Sequence, residues 1–197
     1  MSTLNQQTQS TNPTNKQVYK KYLPKTKTKY KTKRKEERPF NKIEKYFYNE
    51  EPAFLLTYDQ IIPFKVTKFS KYFLLSWRHQ PKGFVSQEKL RVCISVPKKD
   101  WAIMKTKIKR NMEVEPLKLE PIHAVKERDS IKGYELGIVA KNKTNIRFVL
   151  RNALTITGKI IKFDKYVTLL QVDECTCLIY RHGIYQYFVK EDKSKTE

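Results

Sequence analysis

Few side chains in this sequence have the type and spacing to do chemistry on their own, and those few favour binding over catalysis. The histidines His79, His123 and His182 stand far apart and make no metal motif, and no Ser-His-Asp or Cys-His set is indicated. Five glycines leave no Gly-rich phosphate loop. Cys93, Cys175 and Cys177 are odd in number and lack framework spacing, which fits reduced thiols. Cys175 and Cys177 share one face of a strand, but no third or fourth ligand is spaced to join them, so they read as small buried hydrophobes. No enzyme, cofactor or metal is expected. What the chain does supply is stacking and charge. Tyr19, Tyr22 and Tyr30 are interleaved with Lys20, Lys21, Lys25, Lys27, Lys29, Lys31 and Lys33, rings that can stack on bases beside ammonium groups that neutralise phosphates.

The charge balance points the same way. The 41 Lys and Arg exceed the 20 Asp and Glu by enough to leave +21 at pH 7, a field that attracts polyanions, nucleic acid first. No apolar run is long enough to cross a bilayer and no signal-peptide core is present at the N-terminus, so a cytosolic protein without a membrane partner is expected. Residues 1–38 have too few aliphatics to offset their ordering entropy and read as a disordered basic tail, as do residues 192–197 at the other end.

The elements that must carry any site follow from periodicity. Ile43, Tyr46 and Phe47 give a short helical face ended by Pro52, and strands are expected at Ala53 to Thr57, Ile61 to Phe69, Tyr72 to Trp77 and Leu90 to Val96. Trp101 to Ile108 closes this first part, and Glu113 to Pro121, with Pro116 and Pro121, reads as an extended linker. A second short helix over Tyr134 to Lys143 precedes strands at Asn145 to Arg151, Leu154 to Phe163, Tyr166 to Val172, Cys175 to Tyr180 and Tyr185 to Val189. The long second strand bends at Gly158, as in a small, strongly curved barrel.

The two parts also resemble one another. Sliding Phe69 onto Phe163 brings Phe54 onto Phe148, Leu56 onto Leu150, Ile62 onto Ile156, Lys65 onto Lys159, Lys68 onto Lys162, Lys71 onto Lys165, Tyr72 onto Tyr166 and Leu75 onto Leu169 without a gap. The reading is a tandem of two related β modules, 39–112 and 134–191, joined by a linker over 113–133. Phe64 against Gly158 and Ser70 against Asp164 are the departures.

Over about Leu136 to Phe188 the second module resembles the bacterial Hfq branch of the Sm-like family. Leu154-Thr155-Ile156-Thr157-Gly158-Lys159-Ile160, followed by Phe163-Asp164-Lys165-Tyr166-Val167-Thr168-Leu169-Leu170, echoes the first Sm motif. Tyr180-Arg181-His182-Gly183-Ile184 echoes the second, with glycine where the family shows alanine. The resemblance implies a ring of Sm barrels joined edge to edge that binds RNA on its faces and rim. By position, Lys165, Tyr166, Tyr180, Arg181 and His182 would line the face that grips uridine-rich ends, Tyr166 as a stacking plate and Arg181 and His182 as donors. Arg147 and Arg151, with Lys141 and Lys143, would form a basic rim. The opposite, adenine-reading face would fall on Val149, Ala153, Leu154 and Thr157, which depart from the family pattern. In the first module the corresponding candidates are Lys71 and Tyr72, together with Trp77, Arg78 and His79 in a long loop before the Leu90 to Val96 strand.

The fold class expected is thus mainly β, two tandem five-strand Sm-like (SH3-like) barrels each preceded by a short helix. The function expected is RNA binding, with self-association of three chains into a pseudo-hexameric ring. Two alternatives stand beside it. One is an adaptor that keeps the barrels for a protein partner and has lost specific RNA binding; the other is an SH3-like module that reads structured RNA by shape.

Overall fold

In the computed structural model, which describes residues 42–49, 51–79, 82–124 and 131–189, the β-branched and aromatic runs become twelve short strands. The expected tails 1–38 and 192–197 lie outside the described residues. Helix α1 (Lys42–Tyr48) leads into β1 (Pro52–Thr57), β2 (Ile61–Lys65), β3 (Lys68–Phe69), β4 (Phe73–His79), β5 (Lys82–Glu88), a 3₁₀ turn at Lys89–Arg91 and β6 (Val92–Pro97). Helix α2 (Trp101–Lys107) and the short β7 (Lys109–Arg110) follow. Helix α3 (Gly133–Lys141) then opens β8 (Asn145–Leu150), β9 (Leu154–Phe163), β10 (Val167–Val172), β11 (Cys175–Tyr180), a 3₁₀ turn at Arg181–Gly183 and β12 (Ile184–Val189). A helix, a meander of strands and a last strand entered through a 3₁₀ turn therefore occur on both sides of α2 and β7.

The strands do not close into two barrels. They form one open sheet in the order β12-β8-β9-β10-β11-β6-β1-β2, with β7 added along β9, and a separate three-stranded sheet, β3-β4-β5. Closure of the second half is forestalled because the outer edge of β11 is taken by β6, with Leu178 opposite Ser95 and Ile179 opposite Ile94. The first half splits for a steric reason. A Cβ at Gly158 would lie 2.2 Å from the Gln171 carbonyl oxygen, so only glycine lets β9 pass this close to β10. Phe64 has no such freedom. Its ring is buried, and the strand is interrupted at Val66 and Thr67 into β2, in the large sheet, and β3, in the small one.

The other departure is no departure in structure. Asp164 Oδ1 accepts hydrogen bonds from the backbone N–H groups of Tyr166 (2.7 Å) and Val167 (2.9 Å). Ser70 Oγ accepts from those of Tyr72 (3.3 Å) and Phe73 (2.8 Å). A hydroxyl here makes the same turn as a carboxylate. The backbone agrees, with Asp164 N–H to the Val167 carbonyl at 2.9 Å and Ser70 N–H to that of Phe73 at 3.0 Å.

Other expectations are corrected. Trp77, Arg78 and His79 are not in a long loop but on β4, in a hairpin with β5 that places Trp77 opposite Phe84 and His79 opposite Lys82. Val92, Cys93 and Ile94 lie on β6, entered through the 3₁₀ turn at Lys89–Arg91, with Ile94 paired to both β1 and β11. The linker is not simply extended. It contributes a 3₁₀ turn at Glu115–Leu117 and a left-handed Lys118 (φ 43°), and it buries Val114.

Two cores result, and each is drawn from both halves. Leu170, Cys175, Cys177 and Ile179 pack with Leu136, Phe148 and Ile156, but also with Leu56, Cys93, Ile94 and Met104. Val167, Leu169, Leu178 and Tyr180 face the other way, into a cluster with Tyr48, Leu55, Phe64 and Leu74. Strands β10 and β11 are covered on both faces, which is why they read as continuous apolar runs rather than alternations.

Candidate nucleic-acid interface

The Hfq-like candidates sit on two turns held against each other. The Lys165–Tyr166 tip is set by the Asp164 turn, and the Tyr166 carbonyl accepts from the Arg181 backbone N–H at 2.8 Å. Tyr166 is 44% exposed, and the Lys165 ammonium lies 5.9 Å from its ring centroid. The Arg181 guanidinium is half-buried. It donates to the Asp164 carbonyl (2.7 Å) and to the Ile131 carbonyl, and burial lowers its pKa below the ordinary guanidinium value. Arg181 is thus spent largely on pinning the turn. His182, also half-buried, places Nε2 3.2 Å from the Val92 carbonyl and its ring 5.6 Å from that of Tyr180. Gly183 stands where the family shows alanine because β6 is so close: a Cβ would meet Cys93 Sγ at 3.0 Å and Cα at 3.2 Å.

Tyr180 lies elsewhere. It is buried, 2% exposed, with its hydroxyl 3.0 Å from that of Tyr48 and donating to Glu44 at 3.1 Å. Burial raises its pKa well above 10. The ring that sequence position assigns to the RNA face points into the core under α1 and offers no stacking surface. The network continues through Glu44, which is 3% exposed and accepts from Lys89 Nζ at 2.6 Å, and through Tyr48, whose hydroxyl lies 2.7 Å from Ser95 Oγ.

The expected basic rim divides. Arg151 donates twice to the Glu120 carbonyl (2.9 and 3.1 Å) and so ties the linker down. Arg147, stacked 4.5 Å from the Phe188 centroid, instead lines an open groove of about 910 Å³ together with Lys107, Lys109, Lys159, Thr157 and Asn145. Lys107 is paired there with Asp173 at 2.6 Å, and this partner raises its pKa. Sequence reading missed Lys107, Lys109 and Lys159. Only the pairing of Lys109 with Thr155 and Arg110 with Leu154 brings the α2–β7 segment alongside β9, and no pattern in the chain announces it.

The residues that follow β7 cover the opposite face. Val149 and Ala153 are buried in a small cluster with Val114, packed by Leu119 and Tyr185. In the first half, Lys71 and Tyr72 are exposed at their turn, with the ammonium 4.8 Å from the ring centroid, and the Tyr72 carbonyl accepts from the Lys89 backbone N–H at 2.8 Å, as Tyr166 accepts from Arg181. Trp77, Arg78 and His79 are exposed at the end of β4.

Among the described residues there is no cluster of three or more His, Cys, Asp or Glu that could hold a metal, and no helix is long and apolar enough to cross a membrane. Compared with known protein families, residues 133–194 match the model of the Hfq protein family. No curated protein matches the chain. The C-terminal part, from α3 through β12, therefore has the Sm fold of Hfq.

Proposed function

We propose that this chain binds single-stranded RNA, with the Lys165–Tyr166 tip, stiffened by Arg181 and His182, as the grip for uridine-rich ends. The observation that carries the reading is the Hfq match over residues 133–194, the segment that presents an exposed Tyr166 beside the Lys165 ammonium. The groove lined by Arg147, Lys159 and Lys109 adds phosphate contacts, so affinity falls steeply with salt. Burial of Val149 and Ala153 under the linker argues against an adenine-reading face on the opposite side.

The first half is, in this reading, a divergent second copy of the same module. Support comes from the repeated succession of elements and from the matched turns at Ser70 and Asp164. The β11–β6 pairing then serves as a built-in module junction, and the outer edges of β5 and β12 are left for the next chain, so that three chains make a six-module ring.

Fluorescence anisotropy with labelled uridine-rich, adenine-rich and duplex RNA at two salt concentrations tests the first claim. Wild type should prefer the uridine-rich strand, and Tyr166→Ala should weaken that binding at both salts. Equal binding of all three RNAs, abolished by salt in both proteins, would leave only a nonspecific polyanion clamp. Light scattering that gives a monomer at micromolar concentration would refute the ring.

A further inference from the structure

The three-stranded sheet has one face in the core and one in solvent, and the solvent face is built of the wrong residues for solubility alone. Leu74 is fully buried on the inner side. On the outer side the register places Trp77 directly opposite Phe84, His79 opposite Lys82 and Lys68 opposite Leu75, with Phe73 four residues before Trp77 on the same strand. Trp77 is 43%, Phe84 53% and Phe73 41% exposed. The Trp77 and Phe84 rings meet edge to face at 5.0 Å, and the Lys68 ammonium lies 5.8 Å from the Phe84 centroid. No described side chain covers this face, and it lies outside residues 133–194.

We infer that the outer face of β3, β4 and β5 is a second nucleic-acid site, a platform on which unpaired bases stack on Trp77, Phe84 and Phe73 while Lys68, Lys82 and His79 meet the phosphates. The inference takes from the preceding proposal only that the partner is RNA. Charge selects the occupant. An apolar protein partner would have to bury Lys68 and Lys82 against its own surface, whereas a single strand brings π-faces to the rings and phosphates to the ammonium groups together. The geometry suits an extended strand: Phe73 and Trp77 are about 13 Å apart along β4, enough for several successive nucleotides rather than one inserted base. Because any base has a π-face, the site should tolerate sequence while rejecting duplex.

The chain holds two tryptophans, so a Trp101→Phe background reports on Trp77 alone. Labelled oligouridine and oligoadenosine of equal length are titrated into this protein, followed by tryptophan quenching and by anisotropy. Duplex RNA is the control, and circular dichroism checks the fold. Both single strands should quench Trp77, duplex should not, and Trp77→Ala/Phe84→Ala should lose at least about tenfold in affinity for either strand, since each stacked ring contributes measurably. Quenching should persist in Tyr166→Ala, which separates this site from the Hfq-like tip. Unchanged affinity in Trp77→Ala/Phe84→Ala together with weakened binding in Tyr166→Ala would overturn the platform and leave the proposed function standing. A Trp77 signal that follows protein concentration without RNA would overturn it in favour of a second copy of the chain.

Discussion

Replacing Lys89 by methionine should destabilise the fold far more than loss of an ordinary surface lysine. Its ammonium lies 2.6 Å from Glu44 Oε2, and the two side chains are only 11% and 4% exposed. Methionine keeps the aliphatic stem but leaves the Glu44 carboxylate in the core with the Tyr180 hydroxyl as its remaining donor. Stripping one partner from a buried pair costs about 3–5 kcal/mol. At about 2–4 °C per kcal/mol for a chain of this size, the melting temperature should fall by about 6–20 °C. Glu44→Leu/Lys89→Met removes both charges and should recover most of that loss, giving a strongly non-additive double-mutant cycle by thermal and urea denaturation. The pH dependence adds a second signature. Burial raises the Glu44 pKa above its ordinary 4.5, and Lys89 opposes the rise. A raised carboxyl pKa means that the folded state holds a proton the unfolded state has released. The stability from this group is therefore full below pH 4.5 and is lost as pH rises through the folded value. Without Lys89 that value climbs further, so the deficit of Lys89→Met should shrink on going from pH 7 to pH 5. Additive single costs, or a deficit under about 1 kcal/mol that salt removes, would refute a buried pair.

Two glycines make an opposed pair of predictions. Gly158→Ala forces a Cβ to within 2.2 Å of a backbone oxygen and should cost at least about 1–3 kcal/mol. Gly137→Ala, whose nearest neighbour would be Phe163 at 3.8 Å, should stabilise helix α3 by about 0.5–1 kcal/mol, both read from urea midpoints. The thiols should be inert in the native state. All three are free and buried, and burial pushes Cys93 up to about 12 and raises Cys175 and Cys177 as well. A chromogenic disulfide reagent at pH 8 should label them only as fast as the chain unfolds, and rapid labelling without denaturant would contradict the packing.

Much of the second half could be read from the chain because its signals are local. The Asp164 turn and the helix before β8 each depend on residues near them in sequence, and each stands where the pattern puts it. Residues whose surroundings come from far away could not be read so. Tyr180 has the right type and place for an RNA face, yet α1 lies over it and supplies Glu44 and Tyr48 as partners. Ser70 looks like a loss against Asp164 until the hydrogen bonds show an oxygen doing the same work. Phe64 does signal a change, but the change is a split in the sheet, and that follows only once Gly158 is seen to have no room for a side chain.

The double coverage of β10 and β11 also bears on how the chain would meet RNA. A strand buried on both faces offers few side chains to change their contacts, and beside these strands the Arg181 backbone N–H donates to the Tyr166 carbonyl, the Arg181 guanidinium donates to the Asp164 carbonyl and His182 Nε2 lies 3.2 Å from the Val92 carbonyl. In the binding mode proposed above, the Tyr166 tip is thereby ordered before RNA arrives, which lowers the entropy that binding must offset. Strands β4 and β5 are covered on one face only, and it is their uncovered face that carries Trp77 and Phe84. The first half thus packs against both faces of β10 and β11 and carries an aromatic surface of its own.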